Sequence, residues 1–244
     1  LLALLGAVGV WTFRTEDLRL ASAAVLGALA VAALLSTRGV APAMWSVVGG
    51  ALATGALLQV ALALPILDDW RPVPLAVAAT LPVVATSLIR RTGSVHRTAM
   101  LVTQLCVAGL VALPAILLLM ARGATALVET WFRTEPWTVD GDTATGFAVA
   151  VISLVVIAAG TWTASRGARS PVAASSLAVL ARWVVVPAAA GLPLVVPGHV
   201  GIVIGISLAM SVAASLLLLL VPSVRGSRLS LRAPLATVAY GAIL

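Results

Sequence analysis

GFAVAVISLVVIAAGTWTASRGARSPVAASSLAVLARWVVVPAAAGLPLVV, residues 146–196, consists of an apolar run, a short arginine-bearing turn and a second apolar run. Each run approaches the ~20 residues that an α-helix needs to cross a hydrocarbon layer of ~30 Å. Together they read as a helical hairpin with its turn outside the membrane. The second run carries Arg182. A charged group in hydrocarbon is costly and usually functional. The hairpin therefore sets the fold class and also poses a question: how deep does Arg182 lie, and against what?

The rest of the chain has the same texture. Its 244 residues are 61% hydrophobic and 9% charged, with a mean hydropathy of +1.15. Soluble domains are about a quarter charged. A window of ~19 residues places helices near 1–13, 20–36, 44–66, 73–89, 98–121, 146–164, 174–196, 200–221 and 234–244. The fold class expected is an all-α polytopic transmembrane helix bundle, 1–244 as one domain, with seven complete spans and two truncated ones. The strict alternation of a membrane β-barrel is absent from the sequence. Both ends lie in apolar runs and the first residue is Leu1, so we expect a piece of a longer protein. All 15 basic residues are Arg, with no Lys or Asn, which suggests a GC-rich, actinobacterial genome. The lone Cys106 sits in an apolar run, where a cysteine is usually a small hydrophobe.

Charge orients the spans. Alternate loops carry Arg38; Arg90, Arg91 and Arg97; Arg166 and Arg169; and Arg225, Arg228 and Arg232, with no acid among them. The other loops carry Arg14, Arg19, Arg71, Arg122 and Arg133 together with every acid: Glu16, Asp17, Asp68, Asp69, Glu129, Glu135, Asp140 and Asp142. Arginine-rich short loops favour the cytoplasm. The expected location is a bacterial plasma membrane, with the loops near Arg38, Arg90, Arg166 and Arg225 cytoplasmic. The net charge of +7 then reflects loops lying against anionic lipid headgroups, and no nucleic-acid partner is needed. The four basic turns also resemble one another: each ends a helix with small or hydroxyl residues, passes through Arg and Gly or Ser, and restarts an apolar run. They read as repeated helical hairpins.

In the longest outer loop, 122–145, Leu127, Val128, Trp131 and Phe132 fall at near-helical spacing. This predicts a short helix lying in the outer interface and ending before Pro136. Trp131, Phe132 and Trp137 would be its aromatic anchor at headgroup level.

The sequence offers little for catalysis. His96 and His199 fall on opposite sides, no pair has metal-ligand spacing, and no hydrolase or nucleotide-binding motif occurs. No cofactor is expected. Asp68 and Asp69, adjacent in an outer turn beside Trp70 and Arg71, are the best catalytic candidates. Membrane glycosyltransferases that use lipid-phosphate sugars carry acids in such loops, but adjacent carboxylates rarely converge on one substrate. A transporter would show ionisable residues or broken helices at mid-membrane. The spans supply only Gln59, Gln104, hydroxyls and the prolines Pro82, Pro114, Pro187 and Pro193. Packing signals are more abundant: Gly49/Ala53, Ala51/Gly55 and Gly201/Gly205 are small-xxx-small pairs that let helices approach closely. Of these, Gly201/Gly205 is the pair least explained by the alanine-rich composition.

Three stretches, ALAVAALLSTRGVAPAMWSVVGGAL, LPVVATSLIRRTGSVHRTAMLVTQL and SRGARSPVAASSLAVLARWVVVPAAAGLPLVVPG, carry a resemblance. They resemble the membrane region of EccD, the multi-pass component of actinobacterial type VII secretion systems, and Arg169-Ser170-Pro171 matches a turn that opens a late helix there. The stretches cover about half of the chain. This chain lacks the family's long cytoplasmic linker, and Arg182 stands where an acid is often found. The resemblance implies a secretion-complex scaffold that pairs with itself and surrounds other membrane subunits.

Three functional readings follow: a scaffold or translocation-complex subunit, a secondary transporter, and a lipid-linked-sugar glycosyltransferase. Arg182 lies eleven residues beyond Pro171, or ~16 Å along a helix. Its guanidinium therefore either snorkels back to the cytoplasmic interface or sits near mid-membrane against a partner. With no acid in any span, the reading here is snorkelling.

Overall fold

The computed structural model describes residues 19–35, 42–88, 94–132, 138–139, 141–168, 171–196, 198–220 and 233–238. Seven helices account for nearly all of them: α1 (Arg19–Leu35), α2 (Pro42–Ala63), α3 (Pro72–Leu88), α4 (Ser94–Phe132), α5 (Gly141–Gly167), α6 (Pro171–Gly191) and α7 (Val200–Leu220). They correspond one to one with the seven complete spans expected. Five of the seven are long and apolar enough to cross a membrane; α1 and the Gly201–Leu216 part of α7 are apolar but shorter. Of the two truncated spans, 1–13 lies outside the described residues and 234–244 is helical at 233–238. The fold is an all-α helical bundle.

The helix starts follow local chemistry. Pro42, Pro72 and Pro171 each open a helix, where proline's missing N–H would be unbonded in any case. Asp142 lies in the first turn of α5 and Arg166 in its last, both favourable to the helix dipole. Arg19 Nη1 donates 2.9 Å to the carbonyl of Leu62, so the first residue of α1 satisfies the open end of α2. Pro82, Pro114 and Pro187 lie inside α3, α4 and α6. Pro193 falls instead in a 3-10 turn, Leu192–Val195, that prolongs α6.

One expectation is corrected. The segment after residue 121 is not a separate interfacial helix: α4 continues without a break to Phe132, 39 residues in all. At 1.5 Å per residue that is ~58 Å, well beyond the ~30 Å of hydrocarbon. A hydropathy window ends the span at Arg122 because it reports depth. Backbone hydrogen bonding is indifferent to a charged side chain, and the first true breaker downstream is Pro136. Similarly, α5 begins at Gly141 rather than 146.

The register between helices shows alternating directions. A Cβ on Gly49 would meet Leu34, and one on Gly55 would meet Leu26, so α1 and α2 are antiparallel. Ser46 Oγ and His96 Nδ1 share a hydrogen bond of 2.9 Å, and Gly50 faces Met100, so α2 and α4 are parallel. Gly160 faces Thr80 and Gly167 faces Ser87, so α3 and α5 are parallel. Odd helices thus run one way and even helices the other, through α6. The helix ends Leu35, Pro42, Leu88, Ser94, Gly167 and Pro171 share one end of the bundle, and Ala63, Pro72, Phe132 and Gly141 the other. At that second end, β1 (Thr138–Val139) pairs antiparallel with β2 (Gly198–His199), tying the α4–α5 connection to the α6–α7 connection.

Packing is small inside and bulky outside. The larger core cluster joins Ala76, Ala112, Ala115, Leu119, Phe147, Leu154 and Ala188 across α3 to α6; a smaller one joins Val83, Leu101, Ala164 and Leu177 nearer the arginine-bearing turns. Leu110, Leu117, Met120 and Val102 of α4 face outward, each more than half exposed. Lipid is as apolar as leucine, so burying leucine gains little there, and close approach of small residues holds the helices instead. The tightest approaches are at Gly160, where a Cβ would lie 2.7 Å from Thr80 Cβ, and at Gly191, 2.6 Å from Leu119 Cδ2. Gly160→Ala should therefore destabilise the bundle by about 1–3 kcal/mol, whereas Gly205→Ala, with nothing within 4 Å, should not. Thermal unfolding of both variants in detergent checks this; equal melting temperatures would contradict the close α3–α5 contact.

Candidate functional site

The hairpin α5–α6 brings Arg182 to a defined place. Leu177 shares a cluster with Ala164, and Gly191 faces Val151. This antiparallel register sets the Arg182 backbone level with 159–160, and hence with Thr80 near the middle of α3. Its guanidinium carbon lies 5.6 Å from the centre of the Trp162 ring, on a residue whose backbone is two to three residues nearer the arginine-bearing end. Arg166, one turn beyond Trp162, places its own guanidinium carbon 5.5 Å from the same ring. Arg182 is half-buried, while Trp162 and Arg166 are exposed. The Arg182 backbone is thus at mid-bundle and its charge lies over an aromatic face. Trp162 escapes a reading of the sequence because it looks like one more interfacial aromatic. The signal that finds it is its i, i+4 spacing to Arg166 combined with the antiparallel register of the hairpin.

A second set of polar groups lies buried at mid-bundle. Thr54, Ser153 and Thr161 are buried, and each hydroxyl donates to the carbonyl four residues before it, at 2.9, 2.7 and 2.8 Å. Thr80 does the same at 2.8 Å. A short hydroxyl side chain can return to its own helix in this way, but a glutamine amide is too long to be absorbed so simply. Gln59 is fully buried with neither amide atom hydrogen-bonded, and the buried Gln104 has an unpaired side-chain oxygen. By the α2–α4 register Gln104 is level with Thr54. Gln59 is five residues further along α2, ~7.5 Å, on the side facing α1. Buried polar atoms left unpaired in a low-dielectric interior are costly.

The remaining candidates are dispersed. Asp68 and Asp69 form an exposed 3-10 turn with Trp70. Asp68 is held 2.8 Å from Arg71, a local ion pair that explains the Asp-Asp-Trp-Arg sequence without a substrate. Among the described residues no group of three or more His, Cys, Asp or Glu side chains could hold a metal ion. Gly49 is a true contact glycine, 2.8 Å from Leu34 for an added Cβ, and Gly55 a looser one at 3.8 Å from Leu26. Gly201 and Gly205, the pair given most weight in the sequence, close no contact among the described residues: a Cβ on either would meet nothing within 4 Å. A pair search finds small residues repeated along one helix. The contacts that close here are single glycines opposite a bulky partner, at Gly160, Gly167 and Gly191. Trp131 and Phe132 lie in the last turn of α4, and Trp137 lies outside the described residues. Cys106 is exposed.

A double-mutant cycle between Arg182→Leu and Trp162→Leu should return a coupling of about 0.5–2 kcal/mol in thermal unfolding; no coupling would show that the stack contributes nothing. Asp68→Asn should change stability by less than about 1 kcal/mol, as expected for an exposed pair. No protein-family model, curated protein or solved structure matches this chain.

Proposed function

We propose that this chain is a membrane-embedded scaffold: a subunit that packs helices and lipid within a larger membrane complex. The observation that carries the reading is α7. Its described packing is concentrated at its start, against Leu192–Val195 and β2, with Val203 on the larger core. Gly201 and Gly205 face open space, and Ile202, Ile204, Leu208, Val212 and Leu216 are exposed. Small residues that allow close helix approach are thus presented outward, among the described residues, along most of this helix. Gly49, Gly55, Gly160, Gly167 and Gly191 are instead spent on internal contacts, while Gly27 and Gly109 share the open setting of Gly201 and Gly205. A membrane helix from another subunit, or from a second copy, fits such a face. A type VII-like secretion machine is the specific complex that the sequence resemblance supports. A bacterial plasma membrane, with the arginine-bearing turns cytoplasmic, is the location that the charge distribution supports.

The buried glutamines favour a second reading, a secondary transporter. Gln104 near mid-bundle and Gln59 towards the outer end have amide atoms left unpaired, as a polar substrate path would require. The glycosyltransferase reading gains no comparable observation: among the described residues Asp68 pairs with Arg71 of its own turn.

Photo-crosslinking in the native membrane separates the two. A crosslinker at Gly205 should capture a membrane protein, and Gly205→Leu should abolish co-purification of that protein while leaving thermal stability unchanged. Crosslinks to lipid alone, with unchanged co-purification, would reject the scaffold reading. Solute flux in liposomes that is lost in Gln104→Leu would establish the transporter instead.

A further inference from the structure

Gln59 and Gln104, the two carboxamides in the sequence, occupy matching settings. On the parallel pair α2–α4, Gly50 faces Met100; one turn onward along both helices, Thr54 is level with Gln104. On the antiparallel pair α1–α2, Gly55 faces Leu26; one turn towards the end of α2 and the start of α1, Gln59 is level with Ser22. All four side chains are buried, Gln59 and Thr54 completely. Each hydroxyl has one proton and gives it to its own helix: Thr54 to the carbonyl of Gly50 at 2.9 Å, Ser22 to that of Arg19 at 2.8 Å. Their oxygens are then left as acceptors. The glutamines at the same levels are unanswered. Neither amide atom of Gln59 has a hydrogen-bond partner, nor has the side-chain oxygen of Gln104. A buried amide left in this way carries a desolvation cost that an apolar side chain of its size would not.

We propose that each of these seams binds an ordered water that bridges the glutamine amide to the hydroxyl at its level: Gln104 to Thr54 between α4 and α2, and Gln59 to Ser22 between α2 and α1. The chemistry of the groups selects the ligand. Both hydroxyl oxygens and the Gln104 oxygen call for a donor, and Gln59 calls for a donor and an acceptor. Water supplies both and answers an amide from either its oxygen or its nitrogen end. It is also the smallest molecule that does so, in seams where glycine lets the helices approach. Where two polar groups share a level across a packed seam without a direct hydrogen bond, a bridging water is enthalpically nearly as good as one. Buried waters make about three hydrogen bonds; the carbonyls of Gly50 and Arg19, each with a second lone pair, are the further acceptors at hand. The bridges give α1, α2 and α4 a directional link that glycine contacts alone do not provide. The sites belong to the folded bundle and hold for scaffold and transporter alike.

The test exposes the full chain, in lipid nanodiscs, to microsecond X-ray pulses with a radical scavenger in the bulk solution. Hydroxyl radicals that reach the protein then come mainly from bound water, and mass spectrometry reads which side chains they oxidise. Met100, buried one turn from Gln104, reports on the first site; Met44, more than half exposed, controls for bulk radicals. Met100 should be oxidised while the scavenger protects Met44, and Gln104→Leu and Thr54→Val should each lower Met100 oxidation several-fold. The second site is read by thermal unfolding. The melting-temperature shifts of Gln59→Leu and Ser22→Ala should be non-additive, because either substitution removes the same bridge. Met100 oxidation unchanged in both variants, or shifts at Gln59 and Ser22 that simply add, would overturn the proposal. So would a dry seam, in which Gln104→Leu raises the melting temperature by removing an unpaired amide and leaves Met100 oxidation as it was. If Gln104→Leu does not fold, Thr54→Val, which keeps the shape of the side chain, carries the first test alone.

Discussion

In hydrocarbon there is no water to satisfy a backbone N–H or C=O, so each segment that crosses must bond its own peptide groups. That constraint fixes the secondary structure of this chain before any side chain is considered. Seven helices follow, with proline confined largely to first turns, a 3-10 turn or positions inside a packed bundle. The same medium removes the usual reason for helices to associate, because lipid solvates leucine as well as a core does. What remains is close approach. Gly49, Gly160, Gly167 and Gly191 are the points where one helix surface has been reduced to let a neighbour in. α5, the most buried of the membrane-length helices, is where these approaches accumulate.

The sequence displays this architecture because hydropathy and helix length are set by the same thickness. A helix stands at each of the seven expected spans, five of them long and apolar enough to cross a membrane, and the alternation of arginine-bearing turns in the sequence agrees with the alternating helix directions found from Ser46–His96, Gly49–Leu34 and Gly160–Thr80. Two things are invisible to that reading. Helix length beyond the membrane is one, since a charge at Arg122 ends an apolar window but not a helix. The identity of the contact glycines is the other. A repeated small residue along one helix, as at Gly201 and Gly205, states that a face is smooth. Only the partner helix decides whether anything lies against it, and the decisive residues Thr80 and Leu119 are distant in sequence.

Arg182 illustrates how register turns a sequence puzzle into a geometric one. Counted from Pro171 its backbone lies ~16 Å along the helix, where a guanidinium needs either a partner or a path back to the interface. The hairpin offers Trp162, one turn before Arg166, so the charge rests over an aromatic face while the backbone is at mid-bundle. The polar groups that are not resolved locally are Gln59 and Gln104, whose amides lack the partners that the neighbouring hydroxyls find in their own helices. A smooth outward helix at one side and two unanswered amides inside are the features on which the proposed association with other membrane components and its transporter alternative rest.

All of this depends on the alternating topology, and substituted-cysteine accessibility tests it most directly. In a Cys106→Ala background, single cysteines are placed at Val95 and Ala168, at the arginine-bearing end, and at Asp69, Gly141 and Val196, at the acidic end. With a membrane-impermeant thiol reagent on intact cells, Asp69, Gly141 and Val196 should be labelled, whereas Val95 and Ala168 should react only after the cells are opened. Labelling of Ala168 together with Gly141 from the same side would contradict the account, because α5 would then not cross the membrane.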